Sequence, residues 1–467
     1  MQLTLDFSNF LAAAAEGPLT VGWYLFLHGG WAIALVVVVR QLWRARQVNI
    51  EHAYLHRMKY QLLAIDVPRL NEQSTKAVEQ IFAQLAGAED KATLWEQYVH
   101  GVNQESFSLE LVSLGGYIQF LVHTPAHFRD LIEASVYAQY PDAEITEVDD
   151  YTDRIPHKFP NEEYDLWGTE LRLVKPNHYP IRTYPHFEHT LTQKFADPMA
   201  ALLEILGHMG PDEQVWIQWV LTPLHDVHWK EEGMHEVKKL IGARVAHTKS
   251  LMSRYVNDPL NALYGGTGEI LLHGMGITPI HAEAHAEPDA PPSLMQHLSP
   301  GERTTVEALE AKIAKVGFHV KGRVIYAAKK EKFSKPRGVS GVFGSLLQFN
   351  DQSLNGFAPN KKVTTKAKYF FTKRRVAARQ RKIVSAYRQR SKHLGYGHGM
   401  ILNTEELATV WHFPVMDVKA PSVKMTEAKR GEPPVELPMA PEELEAVVGP
   451  VQTEGAHAAP PSENLPV

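Results

Sequence analysis

An uncharged stretch near the N-terminus constrains this chain more than any other feature. It runs for 22 residues, from Pro18 to Val39, without a charged side chain. At about 1.5 Å per residue, a helix of that length spans the roughly 30 Å hydrocarbon core of a bilayer. A signal peptide would need a basic start, a shorter apolar core and a small-residue cleavage site, which are missing here. We therefore predict a single transmembrane helix over residues 18–39, rather than a signal peptide or a buried core helix.

The charges that flank this stretch predict its orientation. Asp6 and Glu16 precede it, whereas Arg40, Arg44 and Arg46 follow it. Positive residues stay on the cytoplasmic side of a membrane. We therefore predict an extracytoplasmic N-terminus over residues 1–17, a cytoplasmic remainder, and the lipid bilayer as the first partner.

Two absences narrow the possible chemistry. The chain has no cysteine, which excludes disulfides, thiolate metal sites and cysteine nucleophiles. It also lacks the GxxxxGK[ST] pattern, so it has no P-loop lysine to hold the phosphates of a nucleotide. With 467 residues, of which 44% are hydrophobic, it is long enough for two or three folded domains.

The periodicity of apolar residues predicts an α+β fold with two ferredoxin-like units after the membrane helix. The first unit covers residues 60–150 in the order β-α-β-β-α-β, with a strand from Tyr60 to Val67 and a hairpin turn at Gly115–Gly116. A second α+β unit is predicted over residues 151–350, with strands that include Tyr179 to Tyr184 and an insertion at 223–298. A capping box at Ser299 marks the helix that follows the insertion.

A basic stretch follows the second unit. Residues 361–392 contain 13 Lys or Arg side chains and no acidic residue, proline or glycine. This pattern predicts a helix of roughly 45 Å, followed by a short helix capped by Asn403, so that residues 361–414 form one region. Residues 415–467 are rich in proline, alanine and glutamate and are predicted to be a disordered tail.

Charge repulsion along this basic helix indicates an anionic partner. Nucleic acid phosphates are one candidate, and the anionic leaflet of a membrane, worth about 1 kcal/mol per basic residue, is the other. A merely solvated face is the third alternative. The aromatic residues Tyr369, Phe370 and Phe371 fit base stacking and membrane insertion equally well. The predicted phosphate-binding residues, for nucleic acid or lipid, are Lys373, Arg374, Arg375, Arg379, Arg381 and Lys382.

Other candidate sites are weaker. The histidine pairs 225/228 and 281/285 offer two ligands each, whereas zinc needs three or four that converge. The acidic residues between Glu144 and Asp153 are more typical of a solvated strand edge, and the glycine run at 265–268 lacks a lysine. We therefore predict no metal, no cofactor and no catalytic residue, and hence a protein that is not an enzyme.

Four long motifs resemble a known family. They are the segments Leu62–Phe82, Leu173–His189, Phe195–Leu206 and Asn403–Pro414. These segments resemble the membrane-anchored N-terminal region of bacterial type IV secretion and conjugation-type ATPases, of the HerA/FtsK superfamily. The chain ends about where the P-loop motor of those proteins would begin, so the resemblance does not carry a motor activity.

The resemblance implies a platform of a DNA-translocation or type IV secretion-like machine. A separately encoded P-loop ATPase, DNA and a second copy of this chain are the implied partners, and the implied location is the bacterial inner membrane. The alternative function is a membrane-surface scaffold whose basic helix binds anionic lipid instead of nucleic acid.

Overall fold

The structure, a computed structural model, describes residues 17–27, 31–68, 73–89, 95–187, 197–224, 228–242, 298–397 and 399–414, together with residues 15 and 93. The predicted tail at 415–467 lies outside these residues. So do most of the predicted N-terminal region 1–17 and most of the predicted insertion 223–298, including the glycine run and the histidines at 225, 281 and 285.

Two helices form the N-terminal part: α1 (Pro18–Leu25) and α2 (Trp31–Arg57). A single helix over residues 18–39 is wrong, because α1 ends at Leu25 and α2 continues from its apolar start through Arg40, Arg44 and Arg46. In the part of the chain that the structure describes, no helix is long and apolar enough to cross a bilayer. This finding overturns the predicted transmembrane helix, together with the single-pass topology and the inner-membrane location that depended on it.

The strands form one sheet in which every neighbouring pair is antiparallel. The described strands are β1 (Tyr60–Asp66), β2 (Phe107–Leu114), β3 (Tyr117–Pro125), β4 (Glu144–Glu147), β5 (Tyr164–Leu173), β6 (Glu213–Pro223), β7 (Gly317–Lys329), β8 (Phe357–Pro359) and β9 (Met400–Asn403). Their order is β4-β1-β3-β2-β6-β7-β5-β8, and β9 pairs with the start of β7.

The prediction of two ferredoxin-like units is wrong, because this sheet is continuous. In a separate first unit, β2 would be an outer strand without a further neighbour. Instead it pairs along its length with β6, from Phe107 opposite Leu221 to Leu114 opposite Gln214. Strand β5 lies beyond β6 and β7, so strands that are consecutive in sequence are far apart in the sheet. Alternation of apolar residues predicts that a strand exists, but it does not identify the strand's neighbours.

The sheet is buried on both faces. In β1, Leu63 and Ile65 belong to one core, whereas Leu62 and Ala64 belong to the core on the opposite face. This division follows from the period of two along a strand. Because both faces are covered, continuous apolar runs such as that at residues 62–65 occur within the strands.

Eight further helices surround the sheet within the described ranges. They are α3 (Thr75–Leu85), α4 (Arg129–Tyr137), α5 (Ala200–Gly207), α6 (His228–Leu240), α7 (Pro300–Ala314), α8 (Val342–Leu346), α9 (Thr372–Arg388) and α10 (Thr404–Val410). Apolar residues of α3, α4, α5, α8 and α10 fill the larger core on the first face, whereas α9 covers the second face. Helix α6 packs against α7 in smaller clusters of its own.

Several local predictions are confirmed. The turn between β2 and β3 is formed by Gly115 and Gly116, whose φ angles of 64° and 90° favour glycine. Ser299 and Asn403 each form a capping box, at the starts of α7 and α10. These signals depend on neighbouring residues alone, which is why the sequence reveals them.

Two other local predictions are wrong. Residues 179–184 do not form a strand; instead the backbone N–H groups of Ile181 and Tyr184 donate to Glu406 and Thr409 of α10, at 2.9 Å in each case. The basic helix is also shorter than predicted. Helix α9 has 17 residues, or about 25 Å, because Phe371 before it has a left-handed φ of 55°.

Candidate functional site

Helix α9 is fixed on the sheet by its inner side. The side chains of Ile383, Val384 and Tyr387 are buried there, and the ring centroid of Tyr387 lies 5.3 Å from that of Trp216. Gln380 adds a hydrogen bond from Nε2 to the carbonyl oxygen of Leu166 at 2.8 Å. Together these contacts determine which side of α9 faces solvent.

The outer side and first turn of α9 carry exposed cations. Residues three and four apart share one side of a helix. Four of the cations lie three or four positions from Ala378 and surround it, and Lys373 lies in the first turn. We call this set the basic face; it consists of Lys373, Arg374, Arg375, Arg381 and Lys382, all of which are exposed. In the described part of the chain, no carboxylate forms an ion pair with any of them.

Arg379, the sixth predicted site residue, has a structural contact. Its Nη1 donates to the carbonyl oxygen of Thr364 at 2.9 Å and also to that of Lys366. Arg375 makes a similar contact with the carbonyl oxygen of Lys368, at 3.2 Å, although its side chain stays exposed. The structure therefore brings five predicted residues together on one surface and places Arg379 beneath the adjoining loop.

That loop presents three aromatic side chains to solvent. Tyr369, Phe370 and Phe371 are 81%, 84% and 75% exposed. The backbone of Tyr369 and Phe371 is left-handed, with φ angles of 68° and 55°. For residues other than glycine this conformation costs about 1–2 kcal/mol each. Strain combined with exposure of large apolar rings indicates a functional surface, and the rings adjoin the basic face.

The cations at the end of the basic stretch serve the fold instead. Arg388 donates from Nη2 to the carbonyl oxygens of Thr152 and Ile155, at 2.5 and 3.0 Å. Arg390 is 7% exposed and pairs with Glu110 and Asp150. The density of basic residues in the sequence does not distinguish these two arginines, which bind within the fold, from the exposed cations of α9.

A buried polar network lies between α9 and the sheet. The hydroxyl of Tyr151 donates to Oε2 of Glu110 at 2.8 Å and lies 2.8 Å from the hydroxyl of Tyr387. Gln218 donates to Oε1 of Glu110 at 3.0 Å. Burial alone would raise the pKa of Glu110, but the charge and hydrogen bonds of Arg390 hold it below its usual value. Glu110 is therefore an anion at neutral pH, and its role is to anchor the segment after α9.

Glu110 was missed by the sequence analysis, although β2 offers a signal for it. The strand reads FSLELVSL, and a carboxylate in such an apolar run needs a buried cation. Arg323 in β7 is a similar case, since it is fully buried and pairs with Glu170 at 3.3 Å. Charged residues inside apolar strands therefore mark the ends of long-range ion pairs.

The weaker candidate sites do not assemble in the described residues. No group of three His, Asp or Glu side chains is placed there to hold a metal ion. In the acidic segment, Asp150 pairs with Arg390 and Glu147 accepts hydrogen bonds from Arg129 and Gln61. His228, the described member of the 225/228 pair, faces Glu231 and Glu232 of its own helix.

Among the described residues, the fold and the site define a protein with a nine-stranded antiparallel sheet and a solvent-facing basic face on helix α9. The chain belongs to the family described as domain of unknown function DUF8128, whose model matches residues 63–426. No curated protein matches the chain. The family match assigns no activity, so the resemblance to conjugation-type ATPases stays a prediction.

Proposed function

We propose that this chain is a non-enzymatic nucleic-acid-binding platform and that the basic face contacts phosphate groups. The single observation that supports this proposal most is the arrangement of five exposed cations without a carboxylate partner among the described residues. Cations this close repel one another, and phosphates would relieve the repulsion while releasing condensed counterions. Such contacts carry no base information, so the binding is independent of sequence.

The composition of the outer side favours nucleic acid over a lipid surface. A helix that lies on a membrane buries a broad apolar side in the headgroup region. The large apolar residues of α9, Ile383, Val384 and Tyr387, are instead buried against the sheet. Between the cations the outer side offers only Ala378 and Ser385. The exposed rings at 369–371 then act as a stacking platform for unpaired bases.

The resemblance to secretion and conjugation ATPases extends this proposal. In that setting the chain holds DNA for a separately encoded P-loop ATPase, which supplies the motor that this sequence lacks. Most soluble homo-oligomers are closed, symmetric assemblies of identical subunits, and we include self-association of this chain in the proposed function.

Salt dependence of DNA binding tests the proposal. If the basic face neutralises five phosphates, the slope of log K against log salt should be about −4.5 for duplex DNA. Changing all five residues to Gln should bring that slope close to zero and lower the affinity for every DNA sequence by the same factor. A matched control removes five exposed basic residues elsewhere, namely Lys76, Arg154, Lys238, Lys330 and Lys335. The control variant should keep most of the affinity.

Two outcomes would contradict the proposal. One is equal loss of DNA binding in both variants, which would show only a general effect of net charge. The other is binding to vesicles that contain phosphatidylserine, without DNA binding, at about 0.15 M salt. That second result would make the lipid scaffold the better description of the basic face.

A further inference from the structure

A cavity of about 510 Å³ lies beside the end of α9. Its walls come from β1, from the start of β2, from β3 and from the segment that follows α9; the lining includes Tyr60, Ser106, His123, Arg388, Ser391 and Lys392. Small-molecule sites in proteins have volumes of about 300–1,000 Å³. The cavity is therefore large enough for an organic ligand and not only for a water molecule or a simple ion.

The ammonium group of Lys392 has unused hydrogen-bonding capacity. Its Nζ donates to the carbonyl oxygen of Gln104, whereas an ammonium can donate three bonds. Burial lowers the pKa of Lys392 to about 8, although the charges of Glu51 and Glu105 counteract this effect. In the described part of the chain, Lys392 forms no ion pair with these carboxylates; Glu51 pairs with His393 and Glu105 with His127.

Ser391 supplies a second donor on the cavity wall. Arg388 also lines the cavity, but its Nη2 donates to the carbonyl oxygens of Thr152 and Ile155 and its Nε is buried, so it contributes positive charge and not a hydrogen bond to a ligand. The hydroxyl oxygen of Ser391 accepts from the backbone N–H groups of His393 and Leu394, at 3.2 and 3.0 Å, which leaves its own proton to donate. The ammonium of Lys392 and the hydroxyl of Ser391 can therefore both donate to a ligand with several acceptor oxygens.

A planar wall completes the cavity. The rings of Tyr60 and His123 are stacked, with centroids 4.9 Å apart and an angle of 6° between the planes. Burial, followed by the charge of Arg390, lowers the pKa of His123 to about 4, so the imidazole is neutral at pH 7. The neutral ring adds no cation. Arg388, Arg390 and Lys392 line the cavity, but Arg390 is paired with Glu110 and Asp150, and the carboxylate of Glu105, which pairs with His127, also lies in the wall.

We propose that this cavity binds a small oxyanionic ligand, with a carboxylate or phosphate group held by Lys392 and Ser391. The ligand's remaining atoms occupy the space along the wall formed by Tyr60 and His123. This site is separate from the basic face, and its occupant is a small molecule rather than a polymer. The proposal for this cavity therefore does not depend on whether the chain binds nucleic acid.

Binding of an anion has a defined pH dependence. An anion beside Lys392 favours the ammonium, so the complex takes up a proton wherever free Lys392 is partly neutral. The groups that face Lys392 are Glu51 of α2, Glu105 and His393. Burial opposes ionisation of Glu51, but the hydrogen bond and charge of His393 keep its pKa below the usual value. For a carboxylate ligand, whose own charge is constant above about pH 6, affinity should therefore fall from about pH 8 upwards, towards tenfold per pH unit.

Titration of the full chain tests this proposal. The probes are inorganic phosphate, acetate and benzoate, compared with chloride at equal ionic strength, by isothermal titration calorimetry and thermal unfolding. At least one of the three oxyanions should bind at a single site below about 10 mM. The affinity for benzoate compared with that for acetate measures the contribution of the planar wall. The affinity for phosphate compared with that for acetate shows which of the two kinds of oxyanion the cavity prefers.

Variants assign the binding to this cavity. Lys392→Met should abolish it, and Ser391→Ala should weaken it about fivefold through the loss of one hydrogen bond. The variant that lacks the basic face should bind the same oxyanion unchanged, which excludes adsorption to α9. The proposal is overturned if no oxyanion binds better than chloride. It is equally overturned if a folded Lys392→Met protein, or Ser391→Ala where the former does not fold, binds with wild-type affinity and pH dependence.

Discussion

Arg390 and Glu110 form a two-point ion pair although 280 residues separate them in the sequence. Nε of Arg390 lies 3.0 Å from Oε1 of Glu110, and Nη2 lies 3.3 Å from Oε2. The exposed fractions of the two side chains are 6% and 0%. The pair joins β2 to the segment after α9, and it therefore fixes both the position of α9 and one wall of the cavity.

Removal of this cation should destabilise the whole domain. Arg390→Met leaves Glu110 buried without its charge partner, a change that costs about 3–5 kcal/mol in comparable pairs. Chemical denaturation at pH 7 measures the loss. The exposed Arg154, replaced by Met, is the matched control and should change the free energy of unfolding by less than about 0.5 kcal/mol. The double variant Arg390→Met/Glu110→Gln should recover part of the loss; no recovery would mean that the charge of Glu110 is not the cause.

The same cluster should make stability sensitive to acid. Burial alone would raise the pKa of Asp150, but hydrogen bonds and the charge of Arg390 lower it to about 2. Since the folded pKa lies below the unfolded value of about 3.9, the stabilisation is present in full above about pH 5 and is lost progressively as the pH falls towards 2. Glu110, whose pKa is also lowered, acts in the same direction.

Denaturation curves between pH 5 and pH 2.5 test this dependence. The wild-type free energy of unfolding should fall more steeply with decreasing pH than that of Arg390→Met, in which the two carboxylates lose their cation. Parallel curves for the two proteins would show that Arg390 does not set these pKa values.

Two glycines after α9 offer a matched pair of substitutions. Gly395 and Gly397 both have positive φ angles, 117° and 72°. A β-carbon at Gly397 meets nothing within 4 Å, whereas one at Gly395 would overlap the carboxylate of Glu170. Gly397→Ala should therefore cost only about 1–2 kcal/mol of backbone strain.

Gly395→Ala should cost at least about 2 kcal/mol more than Gly397→Ala, because Glu170 would have to move away from the buried Arg323. Thermal and chemical unfolding of the two variants give the comparison. Equal destabilisation of both would mean that the contact with Glu170 is easily relieved and that Arg323 does not depend on it.

Local patterns in the sequence predicted local structure well. The hairpin at Gly115–Gly116 and the capping boxes at Ser299 and Asn403 depend on residues a few positions apart, and the structure confirms them. The pairing of β2 with β6 joins segments about a hundred residues apart, and no local pattern encodes it. The prediction of separate units failed for that reason.

The site was predictable only in part, for a related reason. The density of Lys and Arg pointed to α9, where five of the six predicted residues are exposed, but it does not separate them from Arg379 and Arg390. Arg379 donates to a carbonyl oxygen of the adjoining loop, and Arg390 pairs with a carboxylate of β2. In the N-terminal region, hydropathy described the composition of residues 18–39 but not where α1 ends and α2 begins.

The distance along the chain between Glu110 and Arg390 has a consequence for biosynthesis. Contacts of such long sequence separation slow folding, because the intervening loop must close before they form. A nascent chain that emerges from its N-terminus holds β2 long before Arg390 leaves the ribosome, and during that interval Glu110 has no cation to accompany it into the core. The sheet is therefore completed late in synthesis. Until then the incomplete sheet exposes apolar surface, and this is the stage at which chaperones are most needed.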